Sequence, residues 1–502
     1  MASVSDPTRV VNRSAGWSGG VNLRDALPQI RPSEAKVMEN GILDQNGAFV
    51  KRLGSTFRGT FGAAGDRCLA LYTYYRYPAV PQMLMNTSAG KLYYTNDPFA
   101  DPVVWTEFAS GLSTTAPFSF ETFKGAVYMG NGVDDFRKWD GTTQTTIPSA
   151  PKAAYLRLWK DTLFMTGNSS TPDRIYQSGL GDADIWPVAG WIDIGRGDGD
   201  RTTALSTDGQ VLIVFKRDRH WTIYDPVTLA NRVVDFEKGC ESHQSVVEFE
   251  SEIFFLSRRG ICRFFGDSPS EVISSKVDPL FNHEVINFSA LSRVTSYIVD
   301  NQVGWAIPEL GSMDPTIQLE YYPRLAVAAS PGARGVGPFV FHRIPSGVFA
   351  RVRKGTADHL YGAKLGSNRF LELFSPNGLD DGVPFVSVLE TDALDMGQPT
   401  HTKYIRRLRF YGRGQFQMVL KRNLMDPTYK TFALQLGSDE DPDEVIVNPD
   451  AYGRYFQMRF TDAMTASGFK SLDVGSHGVA LVAGGWALHQ YTIDADIMGV
   501  RD

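Results

Sequence analysis

The feature that most constrains the fold is a cadence of two apolar runs separated by two polar residues, which returns along the chain with different letters. It reads "FETFKGAVYMGN" (Phe120 to Asn131), "RLWKDTLFMTGN" (Arg157 to Asn168), "LSTDGQVLIVFK" (Leu205 to Lys216), "VEFESEIFFLSR" (Val247 to Arg258) and "YIVDNQVGWAIP" (Tyr297 to Pro308). The separating dipeptides are Lys124-Gly125, Lys160-Asp161, Asp208-Gly209, Glu250-Ser251 and Asp300-Asn301. They suit two-residue β-hairpin turns, where Gly and Asn tolerate positive φ. A third run with an aromatic or branched residue beside a cation follows each hairpin, as in "FRKWDG", "RIYQSG", "RHWTIYD" and "GICRFFGD", and reads as the next strand outward. The turns step by 36 (124 to 160), 48 (160 to 208), 42 (208 to 250) and 50 (250 to 300) residues. "PQMLMNTSAGKLYYTNDP" (Pro81 to Pro98) and "ADHLYGAKLGSNRFLELF" (Ala357 to Phe374) extend the series to six or seven units. A period of roughly 40–45 residues carrying several short strands is the signature of a β-propeller. Each blade buries its faces only against its neighbours, so such a ring must close. The same hairpins in two sandwiches are the other arrangement the pattern allows.

The rest of the chain has a different texture. After about residue 380, "YIRRLRFYGRG", "QFQMVLKRN" and "RYFQMRFTDA" alternate strictly, so that Phe416, Met418 and Leu420, and likewise Phe456, Met458 and Phe460, share one face. That period of two belongs to half-buried antiparallel strands. The expected organisation is therefore all-β: an N-terminal segment over 1–64, a β-propeller of six or seven blades over 65–380, and a C-terminal β-sandwich over 381–502. The front piece is mostly extended, with Ser33 placed to cap one short helix through "EAKVMENG" and Asn46-Gly47 at the turn of a hairpin. It is also placed to supply the strand that closes the ring.

Composition narrows the function. A formal charge of −6 argues against a protein that grips nucleic-acid phosphates, which takes concentrated Lys and Arg. Three widely spaced cysteines, Cys68, Cys240 and Cys262, make neither a disulfide framework nor a zinc set and point to a reducing cytosol during synthesis. No secretory signal is legible at the amino terminus, and the most apolar late run, "VALVAGGWAL", is far short of a spanning helix, so no membrane anchor is expected.

No catalytic centre is legible, and no catalytic, cofactor-binding or metal residue is assigned. The histidines, His220, His243, His283, His342, His359, His401, His477 and His489, are scattered, without a zinc pair, and there is no nucleophile elbow or phosphate loop. The acidic Gly-rich "GRGDGDRTT" (Gly195 to Thr203) could offer Asp198 and Asp200 to Ca²⁺, but it lacks the further ligands and distal Glu of a full loop and reads better as a blade connection, its Arg196-Gly197-Asp198 tripeptide included. Paired carboxylates at a channel mouth would make a glycan-cleaving propeller, yet the nearest text to a sialidase turn, Ser206-Thr207-Asp208-Gly209, lacks both spacing and Trp. Lys403, Arg406, Arg407, Arg409, Arg413, Lys421 and Arg422 form the sharpest basic cluster, read first as a solvated face balancing the acidic "GSDEDPDE" (Gly437 to Glu444).

One resemblance rests on the order of residues at the front of the chain: Gly19, Gly20 and Asn22; Pro32, Glu34 and Ala35; Asn40; then Lys51, Arg52 and Gly54. This order resembles the opening of the tail-hub or nozzle proteins of short-tailed bacteriophages, including the packaged-DNA stabilisation type, and the layout of blades plus terminal sandwich is similar. The resemblance implies a non-enzymatic virion protein of the tail, made and assembled in the bacterial cytoplasm. It would form a homo-oligomeric ring, a hexamer, below the portal and its adaptor. Such a ring extends the channel for transiently passing double-stranded DNA, helps to retain packaged DNA and anchors fibres or spikes. A carbohydrate-binding or glycan-cleaving propeller, and a receptor-binding protein at a tail tip, are the rival expectations.

Overall fold

A computed structural model describes residues 8–13, 16–76, 78–265, 268–326, 335–423, 426–437, 443–462 and 486–498. The protein is all-β, a β-propeller with further sheets outside the ring. Among the described residues the helices are short 3-10 turns, and no helix is long and apolar enough to cross a membrane.

Six blades are sheets of their own. Five are four-stranded meanders spanning residues 68–109, 119–146, 155–193, 202–235 and 247–272, here blades 1 to 5. Blade 6 takes three strands from Ser346–Lys354, Ala357–Lys364 and Arg369–Ser375 and a fourth, Gly54–Thr60, from the front of the chain, with two short strands, Leu379–Asp380 and Val383–Pro384, continuing the sheet beyond it. The closing strand expected from the front piece is thus in place, and it ties the start of the ring to its end. Between blades 5 and 6 stands a four-stranded meander of residues 295–342. Its first strand, Thr295–Val299, touches the first strands of both neighbours. The cadence at Tyr297 to Pro308 therefore does form a hairpin in the ring, but its sheet does not stop at four strands.

The hairpin turns follow the expected chemistry with one exception. Phe123 pairs with Ala126, Trp159 with Thr162, Phe249 with Glu252 and Val299 with Gln302, each across two residues. Lys124, Gly125, Lys160, Asp161, Glu250 and Ser251 all take positive φ. At Asp208-Gly209 the loop is longer, because Thr207 pairs with Leu212. Asp208 Oδ1 accepts from the amides of Gln210 and Val211 and so holds a wider turn.

The second strand of each blade reads as almost unbroken apolar text because both its faces are covered. Ala126–Gly130, Thr162–Thr166 and Leu212–Lys216 are buried at every position. Adjacent sectors share a core: Val127, Met129 and Trp139 pack on Leu84 and Leu92, and Phe215 packs on Phe255. The circuit closes where Val303 and Trp305 of the meander meet Phe254 and Leu256, where Tyr297 and Val299 meet Leu360 and Leu371, and where Val352 and Tyr361 meet Met83 and Met85.

The last strand of the 295–342 meander, Phe339–His342, passes a bridge to Val37–Glu39 and so runs into a fifteen-stranded sheet. Its centre is the 20-residue strand Lys403–Arg422, which straddles two layers. The first half pairs with Ala487–Ile497, Asp443–Val447 and Ala451–Gly453; the second pairs with Asp426–Leu436 and Phe456–Thr461. The layers face each other through Phe410 on Phe460 and Phe416 on Trp486, at centroid separations of 5.6 and 4.7 Å. This is the expected sandwich, with Phe416, Met418, Leu420, Phe456, Met458 and Phe460 buried in it.

The front segment is woven through both bodies. Thr8–Arg13 pairs with Ala487–Ile497, and Gly41–Leu43 with Phe49–Lys51 forms the expected hairpin at the edge of the same sheet. The short helix expected through "EAKVMENG" is absent: Glu34–Ala35 and Val37–Glu39 are extended. Local helix propensity yields here to tertiary pairing. Val37–Glu39 hydrogen-bonds to Val388–Glu390, while Ala35 and Met38 are fully buried.

Candidate functional site

One end of the ring's axis opens into a cavity of about 560 Å³. It is lined where the first strands of the sectors begin: Cys68, Ser119, Tyr155, Thr295 and Gly347 all reach it. A propeller gathers the starts of its inner strands at one mouth, so residues distant in sequence meet there.

The floor is Tyr155 and His243, whose rings lie 5.1 Å apart. Burial pushes the His243 imidazole down to about 3, with Arg157 adding in the same direction, so it is neutral at any ordinary pH. Its Nδ1 accepts from the Leu205 amide at 3.4 Å, which leaves the ring hydrogen on Nε2 to be donated to Ser119 Oγ at 3.2 Å. Ser119 Oγ also accepts from the Leu156 amide, so its own hydroxyl hydrogen is left to donate.

Among the described residues the walls carry Arg67, Arg201, Arg293 and Lys364 against a single carboxylate, Asp314. Asp314 is shared by Arg67 at 3.8 Å and Arg293 at 3.5 Å, and Lys364 is held by Asp381 at 2.6 Å. Arg201 is exposed and has no acidic partner among the described residues. A basic cavity thus sits in a chain of net charge −6.

Deeper on the axis, the first strands of blades 2 to 5 bring Glu121, Arg157, Ser206 and Glu248 together. Arg157 reaches Glu121 at 3.7 Å and bonds Glu248, which also accepts from Ser206 Oγ at 2.8 Å. Burial pushes the Glu121 carboxyl up to about 7, against the pull of Arg157 and with Glu248 adding to the rise. These two acids share one guanidinium and neither lines the cavity, an arrangement unlike the pair of free carboxylates flanking a bond that glycan cleavage uses.

The other features singled out in the sequence resolve into structure. Asp198 does converge on a cation, but the cation is Lys216. The fully buried ammonium of Lys216 bonds Asp173 Oδ1 and Asp198 Oδ1 at 2.7 Å each and the Gly195 carbonyl at 3.1 Å, while Asp200 turns to the Arg217 amide. The acid of the Arg196-Gly197-Asp198 tripeptide is therefore turned inward. The basic cluster does not form one face. A bulge between Ile405 and Arg407 leaves Arg406 and Arg407 both exposed, Arg406 bonds Asp496, Arg409 bonds Glu444 and Lys421 bonds Glu390. Lys403 is buried, donates to the Arg454 carbonyl, and is pushed down to about 8 by that burial. Of the histidines, His342 is enclosed beside Glu320, and His477 lies outside the described residues, as do residues 438–442 of the acidic loop and 479–485 of the late apolar run.

Sequence reading did not bring the cavity residues together because each is an ordinary letter at or near the start of a strand in a different blade. The legible signal is register: Arg67 and Arg201 both stand one residue before an inner strand, at equivalent places in two repeats.

Comparison with known proteins assigns no family. No protein-family model matches the chain, and no curated protein matches its sequence. Solved propeller structures do. The computationally designed Ika8 protein aligns at a TM-score of 0.36 and 9% identity, over 63% of this chain and 99% of its own. BamB from Moraxella catarrhalis aligns at 0.37 and 11%, over 64% and 97%. YCF48 from Cyanidioschyzon merolae aligns at 0.37 and 10%, over 64% and 98%. Likenesses this low carry nothing about what the chain does.

Proposed function

We propose that the protein is a structural subunit of a phage virion, a tail hub or nozzle component that assembles with copies of itself into a ring below the portal and adaptor. The ring continues the DNA channel, helps to retain packaged DNA and anchors fibres or spikes. No chemical step belongs to this reading.

The observation that carries it is what the front motif does. Gly20, at φ +71, lies so close to Pro338 and Phe339 that a Cβ would stand 2.5 Å from the proline ring and 2.7 Å from the Phe339 amide. Asn22 donates to Glu34 at 2.7 Å, and Glu34 pairs with Lys276 at 2.7 Å. Asn40 donates to the Val386 carbonyl and accepts from Arg52 and from the Arg343 amide. Arg52 is buried against Asp380, at 2.5 and 3.0 Å, and lies over Phe385; Lys51 bonds Asp462. Motif residues thus stitch ring to sandwich and hold them as one stiff body, the property a wall element needs. Such rigid units close into rings through head-to-tail contacts.

The outer edge of blade 3 offers a surface for such a contact. Its last strand, Trp191–Asp193, is an unpaired edge, and Leu180, Ile185 and Val188 beside it are exposed, Val188 at 97%. Exposed apolar edges of this kind mark association surfaces. The axis of a single propeller, floored by Tyr155 and His243, is not the conduit in this reading; the channel lies between subunits. Light scattering on the purified protein, with antibody labelling of particles, tests the proposal. A closed oligomer and particle-bound label are expected, and a monomer absent from particles would overturn it.

A further inference from the structure

We infer that the cavity at the mouth of the propeller axis is a binding site for a sugar ring that carries an anionic group. The inference stands on the cavity alone and is independent of ring assembly.

Three observations carry it. The charge balance of the walls is four cations to one carboxylate, and that carboxylate, Asp314, is already shared by two arginines. Walls of low dielectric focus such a field into the cavity, so an anion is drawn in despite the negative charge of the whole chain. Arg201 supplies a guanidinium with no acidic partner among the described residues, ready to take a carboxylate or phosphate through paired hydrogen bonds. The floor, secondly, is set to donate. His243 and Leu156 fill the acceptor positions of Ser119 Oγ, so its hydroxyl hydrogen is the group left for a ligand oxygen. The remaining lining, thirdly, includes the neutral polar groups of Thr114, Thr115, Asn131, Ser242 and Ser292, together with the ring of Tyr155. Hydroxyl and amide groups around an aromatic ring fit the hydroxyls and the apolar face of a sugar, and about 560 Å³ lies within the range of small-molecule sites. Among the described lining residues the one carboxylate, Asp314, is paired with Arg67 and Arg293, and the inference is of binding alone.

Isothermal titration of the full chain with glucuronate, glucose 6-phosphate, glucose and inorganic phosphate tests this. Saturable binding of glucuronate or glucose 6-phosphate is expected, weakened by added salt, with glucose and inorganic phosphate at least about tenfold weaker. The comparison of the first two decides between a carboxylated and a phosphorylated sugar. Arg201→Gln, at an exposed position, leaves the fold intact by circular dichroism and lowers affinity about tenfold, the loss of one charge-assisted pair. Ser119→Ala gives a smaller loss in the same direction. Absence of binding by both acidic sugars, affinity untouched by both substitutions, or inorganic phosphate binding as tightly as either sugar would overturn the inference.

Discussion

Lys216 shows how a residue can mislead and then explain. The sequence displays Asp198 and Asp200 in a Gly-rich loop, and nothing nearby announces the cation, because Lys216 ends the apolar run "LIVFK" of a fully buried strand. Only the fold brings its ammonium to Asp173 and Asp198. Removing one partner of a buried ion pair leaves the other uncompensated. Lys216→Met is therefore expected to cost about 3–5 kcal/mol, read as a lowered urea midpoint with unchanged slope. Glu121 acts in the opposite sense. Its folded-state carboxyl is raised to about 7 from an ordinary 4.5, so the native state binds the proton more tightly than the unfolded chain. Its stabilising effect is full below about 4.5 and is lost as pH rises through about 7. Glu121→Gln should abolish that loss, stabilising the protein at pH 8 by about 3 kcal/mol while changing little at pH 4, as measured by urea unfolding at the two pH values. None of this was legible locally, since Glu121, Arg157 and Glu248 come from three different blades.

At the scale of elements, the turns are the most transparent part of the chain. Lys160 and Asp161 sit at φ 46° and 56°, strained values for residues with a Cβ. Replacing them by Asn-Gly is expected to raise stability by about 0.5–1 kcal/mol, seen as a higher thermal midpoint. The hairpins and the alternating sandwich strands were readable because each is set by a local period or turn, and the closing strand because a ring of blades must close. "EAKVMENG" was not, because its extended form is decided by pairing with Val388–Glu390, some 350 residues away. The same holds for the meander of residues 295–342: its hairpin is local, while its continuation into the large sheet depends on the single bridge between Phe341 and Glu39. The 403–422 run reads as one basic face only if the strand is flat; the bulge and the change of layer divide it.

For the whole molecule, the account is of a stiff double body: a ring stapled shut by its front strand and fused to a sandwich through Asn40, Arg52 and Asp380. If blade 3 carries the subunit contact, Val188→Asp combined with Leu180→Asp should shift the oligomer to monomer by light scattering while leaving the circular dichroism spectrum unchanged, because both side chains are exposed. The measurement that bears most directly on the central claim is an electron-microscopy reconstruction of the phage particle. Copies of this chain arranged around the tail axis, each propeller axis displaced from the DNA path, are expected. A particle without the chain, or a single propeller set coaxially on the tail, would contradict the account.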